Sequence, residues 1–171
     1  MAQYARPDND TSDGRWLNNN GNNTNLYSYI DESSVDDSDY IHVTDSMGST
    51  DTVVFRLSDV TDPEDHSSHS VVVRAKDAAG FGAVSLGVIL KQGSTTIKST
   101  TFSTGSSFAN HTMSLSSGEA GNISDYTDLN LTITATDNMS FFTKTSVSWA
   151  YFECPDAAAS TTTHPFLLFV D

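Results

Sequence analysis

Apolar and polar residues alternate singly along much of this chain. Val53, Phe55 and Leu57 interleave with Thr52, Val54, Arg56 and Ser58. Val84, Leu86, Val88 and Leu90 interleave with Ser85, Gly87, Ile89 and Lys91, and Leu129, Leu131, Ile133 and Ala135 with Asn130, Thr132, Thr134 and Thr136. Successive side chains of a strand point to opposite faces, so each run predicts a strand with one buried and one wet face. No stretch reads as a long amphipathic helix. Strands are expected at Leu26–Ile30, Tyr40–Val43, Thr52–Ser58, Ser70–Lys76, Ala83–Gln92, Thr95–Phe102, His111–Ser116, Leu129–Asp137 and Lys144–Cys154. Gln92-Gly93-Ser94 reads as a tight hairpin, and Ser117–Gly121 as one helical turn capped by a serine. Eight or nine strands at this spacing predict an all-β fold, an antiparallel β-sandwich of jelly-roll type with extended N- and C-terminal arms.

The two ends fall outside the alternation. Residues 1–24 are polar and Asn-rich, which predicts an irregular arm with Trp16 and Leu17 available to pin it. Residues 25–155 make the sandwich domain. Residues 156–171 begin as a small-residue linker and end in Phe166, Leu167, Leu168, Phe169 and Val170. Five consecutive apolar residues beyond a flexible linker predict docking on the domain itself, a sister subunit or a partner. The expected partner-binding residues are therefore Phe166, Leu167, Leu168, Phe169, Val170 and Trp16.

Composition narrows the classes. The chain has 171 residues, 37% of them apolar, and a net charge of −14. Length suits one domain, and the low apolar share suits strands with a wet face. A surface this acidic repels phosphate, which argues against nucleic acid and anionic membranes as partners. The longest apolar run is too short to span a bilayer. The single cysteine, Cys154, leaves no intrachain disulfide and reads as a half-buried apolar residue. Residues 1–23 hold no apolar stretch of the secretory kind, so synthesis in a cytoplasm is expected.

Candidate chemistry is sparse. Asp31, Glu32, Asp36, Asp37 and Asp39 form the densest group of hard oxygen ligands, and calcium is the one cofactor they suit. Their spacing matches no EF-hand, and a solvated turn is the ordinary reading of such a run. Asp59, Asp62, Glu64 and Asp65 form a second such group. His66 and His69 are too few for a zinc centre, which needs three or four converging ligands. There is no nucleophile elbow, no phosphate loop and no carboxylate pair singled out by spacing, so no enzymatic activity is expected. Phe55, Phe102, Phe152 and Trp149 sit in apolar alternations and read as core. Trp16, Tyr27, Tyr29 and Phe108 are the candidates for exposed, sugar-stacking platforms.

Several segments together resemble a known family. They are Leu26-Tyr27-x-x-Ile30-Asp31-Glu32, then Asp36-Asp37-x-Asp39-Tyr40-Ile41, Val71-x-Val73-Arg74-Ala75, and Leu86-x-Val88-x-Leu90-x-Gln92-Gly93. Ile123-Ser124-Asp125-Tyr126-Thr127-Asp128-Leu129, Val147-Ser148-Trp149 and Pro155 complete the set. Over residues 26–155 the chain resembles small β-sandwich minor virion proteins of tailed bacteriophages, with a galactose-binding-like jelly roll. The resemblance implies a structural protein that decorates or cements the outside of a capsid. It further implies the major capsid protein or other virion proteins as partners, a homo-oligomer with a trimer favoured, and location on the virion surface. The alternative is a carbohydrate-binding sandwich on a phage tail or fibre, attaching to host glycans. Discrete exposed aromatic residues would favour that alternative.

Overall fold

The computed structural model describes residues 1–45, 49–77, 84–137 and 143–157. Among the described residues eleven strands run in chain order: β1 (Ala2–Ala5), β2 (Pro7–Ser12), β3 (Leu17–Asn18), β4 (Ile41–Asp45), β5 (Thr50–Leu57), β6 (Ser70–Asp77), β7 (Ser85–Gln92), β8 (Thr95–Ser103), β9 (Ala109–Ser114), β10 (Leu129–Thr136) and β11 (Thr143–Pro155). One sheet has the order β3-β4-β11-β6-β9, with β1 also on β11; the other has the order β2-β5-β10-β7-β8. All pairings are antiparallel. The eight strands β4 to β11 follow the two-Greek-key order of a jelly roll, four to a sheet.

The core lies between the sheets and is built from the expected alternations. Val53, Phe55, Leu86, Val88, Leu90, Leu129, Leu131 and Ile133 are all sealed from solvent. Across from them stand Val71, Val73, Val147, Ala150 and Phe152 of the first sheet. Ser117–Ala120 forms the expected turn of helix, α1, with Ser116 as its cap. The Ser116 hydroxyl accepts from the Glu119 N–H, and the Glu119 carboxylate accepts from the Ser116 N–H at 2.7 Å. Lys98 bonds the same carboxylate, and these donors hold Glu119 down to about 2.

Three expectations need correction. Residues 1–24 do not form an irregular arm: β1 joins the first sheet and β2 the second, with only Arg6 between them. Leu26–Tyr29 is a single 3-10 turn, not a strand, and its Leu26 and Tyr27 N–H groups donate to the Asp10 carboxylate. Trp16 is not a partner contact. It is fully buried, and its indole N–H donates to the Asp51 carbonyl while Arg15 pairs with the Asp51 carboxylate. Phe166, Leu167, Leu168, Phe169 and Val170 lie outside the described residues.

Candidate functional site

The site begins with a parity change in β11. Val147 faces the core opposite Ala75, but the next register partner of β6, Arg74, stands opposite Trp149. One residue, Ser148, is therefore inserted as a β-bulge. Its side chain is buried and donates a hydrogen bond to Asp37 at 2.8 Å. Beyond the bulge Ala150, Phe152 and Cys154 face inward. Trp149 and Tyr151 are consequently turned to the outer face, and Trp149 is half-buried there instead of belonging to the core as the alternation suggested.

β1 runs beside this half of β11, pairing Tyr4 with Glu153 and Ala5 with Phe152. Ala5 is sealed and Tyr4 is 45% exposed, so β1 presents its polar-aromatic side to solvent. Tyr4 meets Tyr151 edge-on at 5.4 Å between centroids, and Tyr151 meets Trp149 at 4.7 Å. The Arg6 guanidinium lies 5.5 Å from the Tyr4 ring, 5.6 Å from Tyr151 and 6.0 Å from Trp149. Three aromatic rings around one planar cation form a continuous outward strip at this end of the sheet. Such a surface offers CH-accepting ring faces together with N–H and O–H donors.

The acidic segment 31–39 lies along the strip. The Ile30 carbonyl accepts from the Ala150 N–H, and the Glu32 carbonyl accepts from the Trp149 indole N–H at 2.7 Å. Asp37 takes Arg74 by both oxygens, at 2.7 and 2.6 Å. These bonds hold Asp37 below the usual carboxylate range. Asp36 accepts from the Ser38 N–H and hydroxyl and is likewise lowered. Burial raises Asp31, Asp39 and above all Glu32, which is pushed up to about 7, with Asp31, Asp39 and Asp36 adding to the rise. Of the five candidate calcium ligands, two are thus already held by donors of the chain. Among the described residues no three His, Cys, Asp or Glu side chains are gathered as a metal site.

Further along the same face, Tyr40 and Phe108 stand 6.3 Å apart. Lys76 lies over both rings and Lys144 over Tyr40. Of the other platforms expected, Tyr27 and Tyr29 pack partly buried against the core.

A separate open cleft of about 450 Å³ lies at one end of the sandwich, lined by Gln3, residues 59–62 and residues 124–127. It contains Asp59, Asp62 and Asp125. Asp59 pairs with Arg56, and Asp125 is lowered by its bonds from Thr127. A glycosidic general acid needs a raised carboxyl, so Asp125 is shifted in the wrong direction for that role. Beneath the cleft both ring nitrogens of His69 are engaged, with the Ser67 carbonyl at 2.7 Å and the Tyr126 hydroxyl at 2.8 Å.

No family model and no curated protein sequence matches the chain. Among solved structures it is similar to TmCBM61 in complex with β-1,4-galactotriose, with 8% identity over 91% of this chain and 88% of that one and a TM-score of 0.49. It is also similar to CBM29_1, a family 29 carbohydrate-binding module from Piromyces equi, with 8% identity over 91% and 93% and a TM-score of 0.42. At these values the likeness carries no site from one chain to another.

The aromatic strip was missed in the sequence because Trp149 and Tyr151 share the parity of the buried Val147. The signal was present in Ala150, Phe152 and Cys154, whose apolar parity is opposite to that of Val147.

Proposed function

We propose that this protein is a non-catalytic carbohydrate-binding sandwich that lays a glycan across the outer face of the first sheet. One observation carries the reading: the bulge at Ser148 turns Trp149 and Tyr151 outward beside Tyr4, around the Arg6 guanidinium. Sugar rings present flat apolar CH faces rimmed by hydroxyls. Aromatic faces take up the former, and Arg6 with the tyrosine hydroxyls hydrogen-bonds the latter. The resemblance to phage virion proteins extends the reading to a particle-borne module that meets host glycans, with residues 166–170 as its seat on other virion proteins.

Affinity electrophoresis through gels holding neutral polysaccharides tests it. The wild type is expected to be retarded by at least one of them, and Trp149→Ala or Tyr151→Ala to migrate freely while keeping the native circular dichroism spectrum. Free migration of the wild type through every gel, including acidic ones, overturns the reading.

A further inference from the structure

The chain carries 22 acidic and only eight basic residues, so where the basic ones fall is informative. Arg15, Arg56, Arg74 and Lys98 are each held in an ion pair. Lys76 and Lys144 have no ion-pair partner among the described residues. They also sit together. Lys76 is the register partner of Ser146, and Lys144 is two positions along β11 from that residue. The two are therefore diagonal neighbours on one face. Their ammonium groups converge on one ring, Lys144 at 5.4 Å and Lys76 at 5.8 Å from the Tyr40 centroid. Lys76 is also 4.3 Å from the Phe108 centroid.

Two like charges on neighbouring positions repel each other, and a carboxylate nearby would ordinarily offset that. Asp37, which the Lys76 charge reaches, is hydrogen-bonded on both oxygens to Arg74 rather than to either lysine. His42, opposite Ser146 on the other side, offers no negative charge; burial and then the Lys144 charge hold its imidazole below the usual histidine range. The result is a small cationic patch flanked by Tyr40 and Phe108, on a molecule whose net charge is −14. Its register places it in line with the Tyr4–Tyr151–Trp149 strip, since Arg74 stands opposite Trp149 and its guanidinium lies 5.9 Å from Phe108.

We infer that Lys76 and Lys144, flanked by Tyr40 and Phe108, form a second subsite that binds the carboxylate of a uronate residue, so that the glycan taken by this face is an acidic polysaccharide. The inference rests on the carbohydrate-binding reading and names the substrate class within it. Both ammonium groups donate to the carboxylate oxygens, and the rings pack against the sugar that carries them.

The test runs the wild type, Trp149→Ala and the double variant Lys76→Gln/Lys144→Gln against neutral galactan and against polygalacturonate, by isothermal titration at low and at moderate salt. The wild type is expected to bind polygalacturonate more tightly than galactan, with an advantage that shrinks as salt rises. The double variant is expected to lose roughly tenfold in affinity for polygalacturonate, from two exposed charge contacts, while its affinity for galactan stays unchanged. Lys76→Arg/Lys144→Arg should retain the acidic preference. Binding of galactan without any preference for polygalacturonate, or an unchanged preference in the double glutamine variant, overturns this inference alone. Binding of neither polymer overturns the reading beneath it as well.

Discussion

The indole N–H of Trp149 donates to the main-chain carbonyl of Glu32 at 2.7 Å. This bond ties the acidic segment to the aromatic strip, and it has an electrostatic consequence. Both carboxylate oxygens of Glu32 are buried with no hydrogen-bond partner, beside Asp31, Asp36 and Asp39. The Glu32 carbonyl is satisfied, while the two carboxylate oxygens at the tip of a half-buried side chain are shielded from water.

Trp149→Ala should therefore cost less than the ~3–5 kcal/mol of a fully buried large aromatic, and closer to about 1–2 kcal/mol for partial packing and one hydrogen bond. Urea denaturation measures it. A loss at the upper end would place Trp149 in the core. Glycan binding should vanish in the same variant.

The Glu32 carboxyl, raised from 4.5 to about 7 in the folded chain, sets a pH dependence. Between those values the folded state holds a proton that the unfolded state has released, so stability falls as pH rises through the window and levels off above it. The fall has a ceiling of a few kcal/mol at about 1.4 kcal/mol per pKa unit, lowered by the partial exposure of the side chain. Glu32→Gln removes this titration. Thermal melts should show the variant gaining on the wild type from pH 5 to pH 8; parallel profiles would exclude a raised Glu32.

Trp16→Ala should destabilise the sandwich by about 3–5 kcal/mol, because it empties a sealed site the size of an indole. Removal of residues 1–18 should go further and abolish cooperative unfolding in urea, since it strips β1 and β3 from the first sheet and β2 from the second. A truncated chain that still melts cooperatively would restore the description of these residues as a dispensable arm.

Gly14 adopts φ +57°, and a Cβ there would overlap the carbonyl oxygen of Thr52, a backbone atom held in β5. Gly14→Ala should cost more than the ~1–2 kcal/mol of left-handed strain alone. Gly21 also has positive φ, at +82°, but nothing lies within 4 Å of its would-be Cβ, so Gly21→Ala is the control that isolates the strain. Equal losses in the two variants, read from chemical denaturation, would mean that the Thr52 carbonyl yields.

The central strands were legible because one buried and one wet face imposes a strict two-residue code, as in Val53, Phe55 and Leu57. That code is silent where a strand lies at an edge. β2 reads Pro-Asp-Asn-Asp-Thr-Ser and pairs only with β5, so it has hardly any side chain to bury after Pro7. Leu26 and Ile30 misled in another way: positions four apart share a face both in a strand and in a helical turn, and the two Asp10 bonds decide for the turn. The site was misread for a third reason. A single inserted residue, Ser148, reverses the face of everything after it, and one serine has no signature of its own.

The meeting of Met1 with Asp156 has a mechanical meaning. The amino group lies 3.4 Å from the Asp156 carboxylate, and the Asp156 N–H donates to the Met1 carbonyl. Met1 and Asp156 thus meet at one corner of the sandwich, at the open end of the β1–β11 pair. A load applied at Met1 and Asp156 enters at β1 and the last residues of β11, which are paired with each other from Ala2 and Pro155 inward. Pulled from both ends at once, those two strands open like a zipper, one hydrogen-bonded pair after another. Tyr4 and Tyr151 would part early, and a ligand on the aromatic strip would be let go before the rest of the sandwich gave way.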